Sequence, residues 1–137
     1  MSRDSVGLKI LLVDDDDDDR FLFRTAFIKT GISGHIIEKE DGTEAIQFFD
    51  ALLTGVGAEW PDLVFLDLKM PGPNGFEVLE WIKTNPSLNP LRIYILSGSN
   101  EPADIARARA LGVIDYIVKP LKVERLRQLL SHAGLTA

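Results

Sequence analysis

The sequence predicts an α/β fold, a five-stranded parallel sheet with helices on both faces. Three observations lead there. Five short apolar runs are spread through the 137 residues, and a segment with helical spacing follows each one. Runs such as Leu63–Leu66 are too short for a helix and lack polar alternation, so they read as strands buried on both faces. Strand and helix alternate without exception, and right-handed crossovers then fix the winding. The length favours one domain with room for a real core.

The first strand is expected over residues 9–13, followed by the aspartate run of residues 14–19. A helix over residues 17–29 would turn Leu22/Ala26 and Phe23/Phe27 inward as i,i+4 pairs, with Arg20, Arg24 and Lys29 on other faces. Thr30-Gly31 stops it. Residues 35–38 form a short second strand. Asp41-Gly42-Thr43-Glu44 turns the chain and caps a second helix, whose Ala45, Ile46, Phe49, Leu52 and Leu53 share one buried face. Residues 55–61 are a loose connection into the third strand. Pro71, Gly72, Pro73 and Gly75 then punctuate a loop into helix three, which runs from residue 74 or 75 to 84 with Val78, Leu79 and Ile82 inward. Strand four covers residues 92–96, helix four 101–111, strand five 114–118, and helix five 122–130 with Val123, Leu126, Leu129 and Leu130 inward. Residues 1–7 read as a flexible lead-in, residues 8–131 as the folded domain, and residues 132–137 as a short tail.

Composition narrows the function classes. With 45% hydrophobic and 26% charged residues the chain resembles an ordinary globular protein. A net charge of −6 argues against a general nucleic-acid binder, which needs a basic face. The absence of cysteine removes disulfides, thiolate catalysis and zinc fingers, and suits a cytoplasmic protein. The sequence shows no signal peptide and nothing approaching the roughly 20 apolar residues of a membrane span, so no membrane partner is expected.

All strands of a parallel sheet end on one side, where open α/β sheets bind their ligands. That edge receives Asp14 and Asp15 from strand one, Asp67 from strand three, Ser97 from strand four and Lys119 from strand five. Converging carboxylates repel by about 4 kcal/mol per pair at ~4 Å and an effective dielectric of ~20, so they need a cation. All-oxygen ligands without His or Cys favour Mg²⁺. Asp67 can then act as a nucleophile toward phosphorus, with the metal and Lys119 neutralising phosphoryl oxygens and the Ser97 hydroxyl donating to one of them.

Val13-Asp14-Asp15, Leu66-Asp67-Leu68-Lys69-Met70-Pro71 with Asn74-Gly75, Ile95-Leu96-Ser97-Gly98 and Tyr116-Ile117-Val118-Lys119-Pro120 resemble the receiver domain of two-component response regulators. The resemblance covers roughly residues 8–131. It implies the flavodoxin-like, CheY-like strand order 2-1-3-4-5, which sets strands one and three side by side. It further implies that Asp67 accepts phosphate from the phosphohistidine of a sensor histidine kinase or a phosphotransfer protein. Asp15 and Asp67 would bind Mg²⁺ directly with the backbone carbonyl of Lys69, and Asp14 mainly through water. Lys119 would contact the phosphoryl group, its bond to Pro120 would be cis, and Ser97 and Tyr116 would move together. The switched surface, helix four to helix five, would then bind a downstream protein or a second copy of the chain in a phosphorylation-promoted homodimer; otherwise the protein is a monomer. The resemblance departs at Ser97, where Thr is common, and at Gly98, where Ala is frequent. Lys69 and Ser99 occupy the positions that tune access of the hydrolytic water. The aspartate run and the connections near residues 55–60 and 85–90 look similar to stand-alone, phytochrome-associated regulators, with no output domain.

Each feature also has a plainer reading. Asp16 to Asp19 complement a helix dipole and are not expected as ligands. Ser97 alone reads as a helix-four cap, Tyr116 as a half-buried strand aromatic, and Trp60 and Trp81 as packing residues. His35 and His132 have no partner motif. Two competing functions stay open: a haloacid-dehalogenase-like phosphatase using the Asp14-Asp15-Asp16 stretch, and a phosphate-independent interaction module of the same fold. Steady phosphomonoester turnover would favour the first, and indifference of the site to Mg²⁺ the second.

Overall fold

The computed structural model describes residues 7–136 except 56 and 58. The lead-in expected at residues 1–7 lies outside the described residues apart from Gly7. Five parallel strands form one sheet in the order β2-β1-β3-β4-β5: β1 Leu8–Val13, β2 Gly34–Lys39, β3 Leu63–Leu66, β4 Ile93–Ser97 and β5 Asp115–Val118. Five helices alternate with them: α1 Asp17–Thr30, α2 Gly42–Thr54, α3 Gly75–Lys83, α4 Pro102–Ala110 and α5 Val123–Thr136. α5 runs past the expected end at residue 130, so most of the expected tail continues the helix.

Side chains alternate across the sheet because successive strand residues point to opposite faces. Ile10 and Leu12 of β1, with Leu63 and Phe65 of β3, pack under α1 and α5 against Phe23, Ala26, Phe27, Leu126 and Leu130. Leu11, Val13, Val64 and Leu66 face the other way, toward Ala45 and Phe49 of α2, Val78 and Leu79 of α3, and Ala108 of α4. Both faces of β1 and β3 are therefore buried, which explains their unbroken apolar runs. Phe65 anchors one layer: its ring lies 5.0 Å from Phe23 and 5.5 Å, stacked, from Tyr94. Burying one such side chain contributes about 1.5–3 kcal/mol.

The caps show why the helices start where they do. Asp16 accepts from the backbone N–H groups of Asp18 and Asp19 at the start of α1, and Gly31 ends it in the left-handed conformation. Asp41 accepts from the Glu44 N–H, while the Glu44 carboxylate accepts from Glu40 N–H. Asn74 and Glu77 form a reciprocal capping box on α3.

Several expectations need correction. Leu22 is exposed, because α1 buries Phe23, Ala26 and Phe27 on a stripe that leaves Leu22 on the outer side. Arg20, expected on a face other than that of the apolar pairs, is nonetheless buried. Ser97 is not a cap of α4; it lies within β4, and Glu101 holds the N-cap position without a side-chain bond. Trp81 packs against the core, but Trp60 is exposed.

Candidate functional site

The register of the sheet delivers the site. Val13 of β1 lies beside Leu66 of β3, and Ser97 of β4 beside Val118 of β5. The next residues, Asp14, Asp67 and Lys119, therefore leave the sheet together at its C-terminal edge. The Asp67 N–H donates to the Val13 carbonyl at 3.0 Å, and the Lys119 N–H to the Ser97 carbonyl at 2.8 Å, so the pairing continues into the site.

Asp14, Asp15 and Asp67 each offer an oxygen within 4.8 Å of the others. Asp14 and Asp67 are buried and Asp15 is exposed. The Lys119 ammonium donates to Asp14 Oδ2 at 2.8 Å, Asp19 Oδ2 at 2.6 Å and Asp67 Oδ2 at 3.0 Å. The other oxygen of Asp67 accepts from the Leu68 N–H at 2.7 Å, which fixes the carboxylate's orientation. The Lys119–Pro120 bond is cis. A cleft of about 480 Å³ opens above these groups, with Asp15, Asp67, Lys69, Ser97, Ser99 and Lys119 among its lining residues.

Burial raises the Asp14 carboxyl above its ordinary range, and the neighbouring Asp67 charge adds to this; the Lys119 ammonium only partly offsets it. Burial works against the Lys119 charge, but hydrogen bonds to Asp14 and Asp19 and the Asp67 charge outweigh it and hold the ammonium above the ordinary lysine value. Three carboxylates, Asp14, Asp19 and Asp67, thus share one ammonium, and Asp15 adds a fourth beside them. An all-oxygen, electron-rich set of this kind fits a hard divalent cation such as Mg²⁺.

The loop after β3 sits tightly over the site. A Cβ on Gly75 would lie 2.4 Å from the Asp67 carbonyl oxygen and 2.8 Å from Leu68 Cα. The Gly75 N–H donates to the Leu68 carbonyl at 2.9 Å, so glycine here permits the close return of the chain.

On the other side of the cleft, Ser97 is buried and its hydroxyl oxygen accepts from the Ser99 N–H at 3.3 Å. The Tyr116 ring is buried, and its hydroxyl donates to the Ser99 carbonyl at 2.8 Å. Burial raises the Tyr116 phenol, while hydrogen bonds to Ser99 and Ser97 act in the opposite direction. The Ser99 hydroxyl donates to Asp104 of α4 at 2.6 Å. Ser97, Ser99, Tyr116 and the first turn of α4 are therefore one bonded unit.

Sequence reasoning missed two contributors. Asp19 is explained in the sequence by the helix dipole alone, yet it reaches Lys119. Buried Arg20 donates to the Asp14 backbone carbonyl at 2.7 Å and to Glu38 at 3.1 Å, and it also pairs with Asp17. No spacing in the sequence singles them out: α1 begins at Asp17, after the acidic pair, so the direction residues 19 and 20 face depends on how the helix is rotated.

The response regulator receiver domain family matches residues 10–131, and the chain belongs to that family. Within it, the chain is 35% identical over 123 residues to the probable methanogenesis regulatory protein FilR2 of Methanothrix harundinacea, covering 90% of this chain and 79% of that one. It is 35% identical over 126 residues to the two-component response regulator ORR1 of Oryza sativa subsp. indica, covering 88% of this chain and only 54% of the plant protein, so it spans about half of that relative. Among solved structures, the phosphorylated cyanobacterial phytochrome response regulator RcpA has a TM-score of 0.77 at 32% identity, covering 95% of this chain and 91% of that one. The Mn²⁺-bound form of response regulator Rcp1 has a TM-score of 0.75 at 29% identity, covering 91% and 90%. The protein is thus a receiver domain of two-component signalling, and among the described residues no helix is long and apolar enough to cross a membrane.

Proposed function

We propose that Asp67 is the phosphoacceptor of this receiver domain, that residues 8–131 form the working unit, and that Mg²⁺ is its cofactor. The observation that carries this reading is the meeting of Asp67 Oδ2 and Lys119 Nζ at 3.0 Å beside the Asp14–Asp15 carboxylates. Asp15 and Asp67 would hold the ion directly with the Lys69 backbone carbonyl, and Asp14 would act through water. When bound, Mg²⁺ supplies positive charge against the phosphoryl oxygens. The bound Mn²⁺ of Rcp1 supports a divalent site in this fold.

The donor is the phosphohistidine of a sensor histidine kinase or phosphotransfer protein. A carboxylate oxygen of Asp67 forms the new P–O bond as the P–N bond breaks, and the departing imidazole takes up a proton. Asp67 needs no general base, since a carboxylate nucleophile does not require one. The Leu68 N–H holds one carboxylate oxygen, which orients the other. Lys119 neutralises phosphoryl charge, and the Ser97 hydroxyl donates to a phosphoryl oxygen. Movement of Ser97 disturbs the Ser99–Tyr116–Asp104 unit and so alters the face formed by α4, β5 and α5. That face binds a downstream protein or a second copy of the chain, in the cytoplasm where the kinase's phosphohistidine lies.

The test is intact-mass analysis after incubation with acetyl phosphate, with and without Mg²⁺, followed by sizing. Wild-type protein gains one phosphoryl group in a Mg²⁺-dependent manner and Asp67→Asn does not. Equal labelling of Asp67→Asn would overturn the assignment.

A further inference from the structure

Lys119 has three N–H donors, and each one is already engaged. Its partners are Asp14, Asp19 and Asp67, at 2.8, 2.6 and 3.0 Å. A phosphoryl oxygen arriving on Asp67 can therefore reach the ammonium only by displacing a carboxylate. The three are not equally easy to displace. The Asp14 side chain is 2% exposed, so releasing it would strand a buried charge, and the Asp67 side chain, 9% exposed, must stay in place to receive the phosphoryl group. The Asp19 side chain is 32% exposed and sits in the first turn of α1, where water and the helix N-terminus can take over its charge. Asp19 lies on the wall of the same cleft.

We propose that Asp19 is a positioning residue that holds Lys119 before phosphorylation, and that phosphoryl transfer exchanges the Asp19 carboxylate for a phosphoryl oxygen on the ammonium. This rests on the reading of Asp67 as phosphoacceptor. The exchange is non-covalent: the Asp19 side chain returns to water, and Lys119 keeps its charge. Asp19 thus opposes phosphoryl uptake in two ways. It occupies the donor the phosphoryl group needs, and it adds one negative charge to the path of an anionic donor. The released carboxylate also ties the state of the site to α1, on the side of the sheet opposite α4.

The experiment measures the initial rate of Asp67 phosphorylation by acetyl phosphate in Mg²⁺, by intact mass, in wild type, Asp19→Asn, Asp19→Ala, Lys119→Gln and the Asp19→Asn/Lys119→Gln pair. Loss of a partly exposed ion pair predicts uptake about two- to fivefold faster in both Asp19 variants. The acceleration should disappear when Lys119 is already replaced, which a change in fold or in net charge alone would not produce. Unchanged or slower uptake in both Asp19 variants, with the wild type labelled normally, overturns the proposal and leaves the phosphoacceptor reading intact. An equal acceleration without Lys119 also overturns it. Failure of the wild type to be labelled at Asp67 removes both.

Discussion

Replacing Lys119 by methionine keeps much of the side-chain volume and deletes the ammonium. Asp14, Asp19 and Asp67 then face one another, with Asp15 nearby and no cation between them. At the 4.8 Å limit of the Asp14–Asp15–Asp67 cluster, each pair of carboxylates repels by about 3.5 kcal/mol at an effective dielectric of ~20. Removing one partner of a buried ion pair typically costs about 3–5 kcal/mol. The open cleft screens part of this, since Asp15 is exposed and Asp19 partly so. We therefore expect Lys119→Met to lose about 2–4 kcal/mol of stability without divalent ions at neutral pH. Urea unfolding followed by circular dichroism measures it. Adding Mg²⁺ should narrow the gap, because an ion in the carboxylate set replaces the missing charge; binding at ~100 times the dissociation constant stabilises by about 2.7 kcal/mol. A loss under about 0.5 kcal/mol, or a gap that Mg²⁺ leaves unchanged, would refute the view that Lys119 neutralises this cluster.

Three other outcomes follow from the same geometry. Lys119 holds its proton more tightly when folded, so its stabilisation is fully present below the ordinary lysine value of 10.5 and is lost as pH rises through the folded value; the wild-type urea midpoint should fall in that alkaline range, and Lys119→Met should lack that component. Asp14 is also raised, so its contribution is present below 3.8 and lost as pH rises through its folded value; Asp14→Asn should therefore be more stable than wild type at pH 7 without metal, with the difference closing toward pH 3.8, and isothermal titration should show weaker Mg²⁺ binding. Gly75→Ala brings a Cβ to 2.4 Å from the Asp67 carbonyl oxygen and must move backbone; thermal melts should show a loss of about 1–3 kcal/mol, and phosphoryl uptake should fall with it.

The fold was legible because its strands carry the message themselves. Leu63–Leu66 is buried on both sides, and only a covered parallel sheet demands four consecutive apolar residues in so short a run. The helix faces of α2, α3 and α5 followed from spacing for the same reason. α1 was harder to read. Its apolar residues cluster as Phe21, Leu22 and Phe23, and periodicity alone did not separate exposed Leu22 from buried Phe23. The end of α5 was set too early because residues 131–136 lack an apolar stripe to mark continuation.

The site was legible to the extent that strand ends define it. Asp14, Asp15, Asp67 and Lys119 follow or end strands, so the sheet alone brings them together. Asp19 and Arg20 enter from a helix, and their roles depend on how α1 is rotated. In a run of six aspartates no single one stands out, and an arginine beside them reads as a solvated charge. Its burial becomes intelligible only when Glu38 and the Asp14 carbonyl are seen to share it.

The central claim concerns one carboxylate, and its chemistry allows a direct test. An aspartyl phosphate is an acyl phosphate, and borohydride reduces it to homoserine while leaving free carboxylates intact. Wild-type protein labelled by acetyl phosphate in Mg²⁺, reduced, digested and sequenced by mass spectrometry should carry homoserine at position 67 and aspartate at positions 14, 15 and 19. Homoserine at any of those other positions, or aspartate at position 67 in fully labelled protein, would contradict the account.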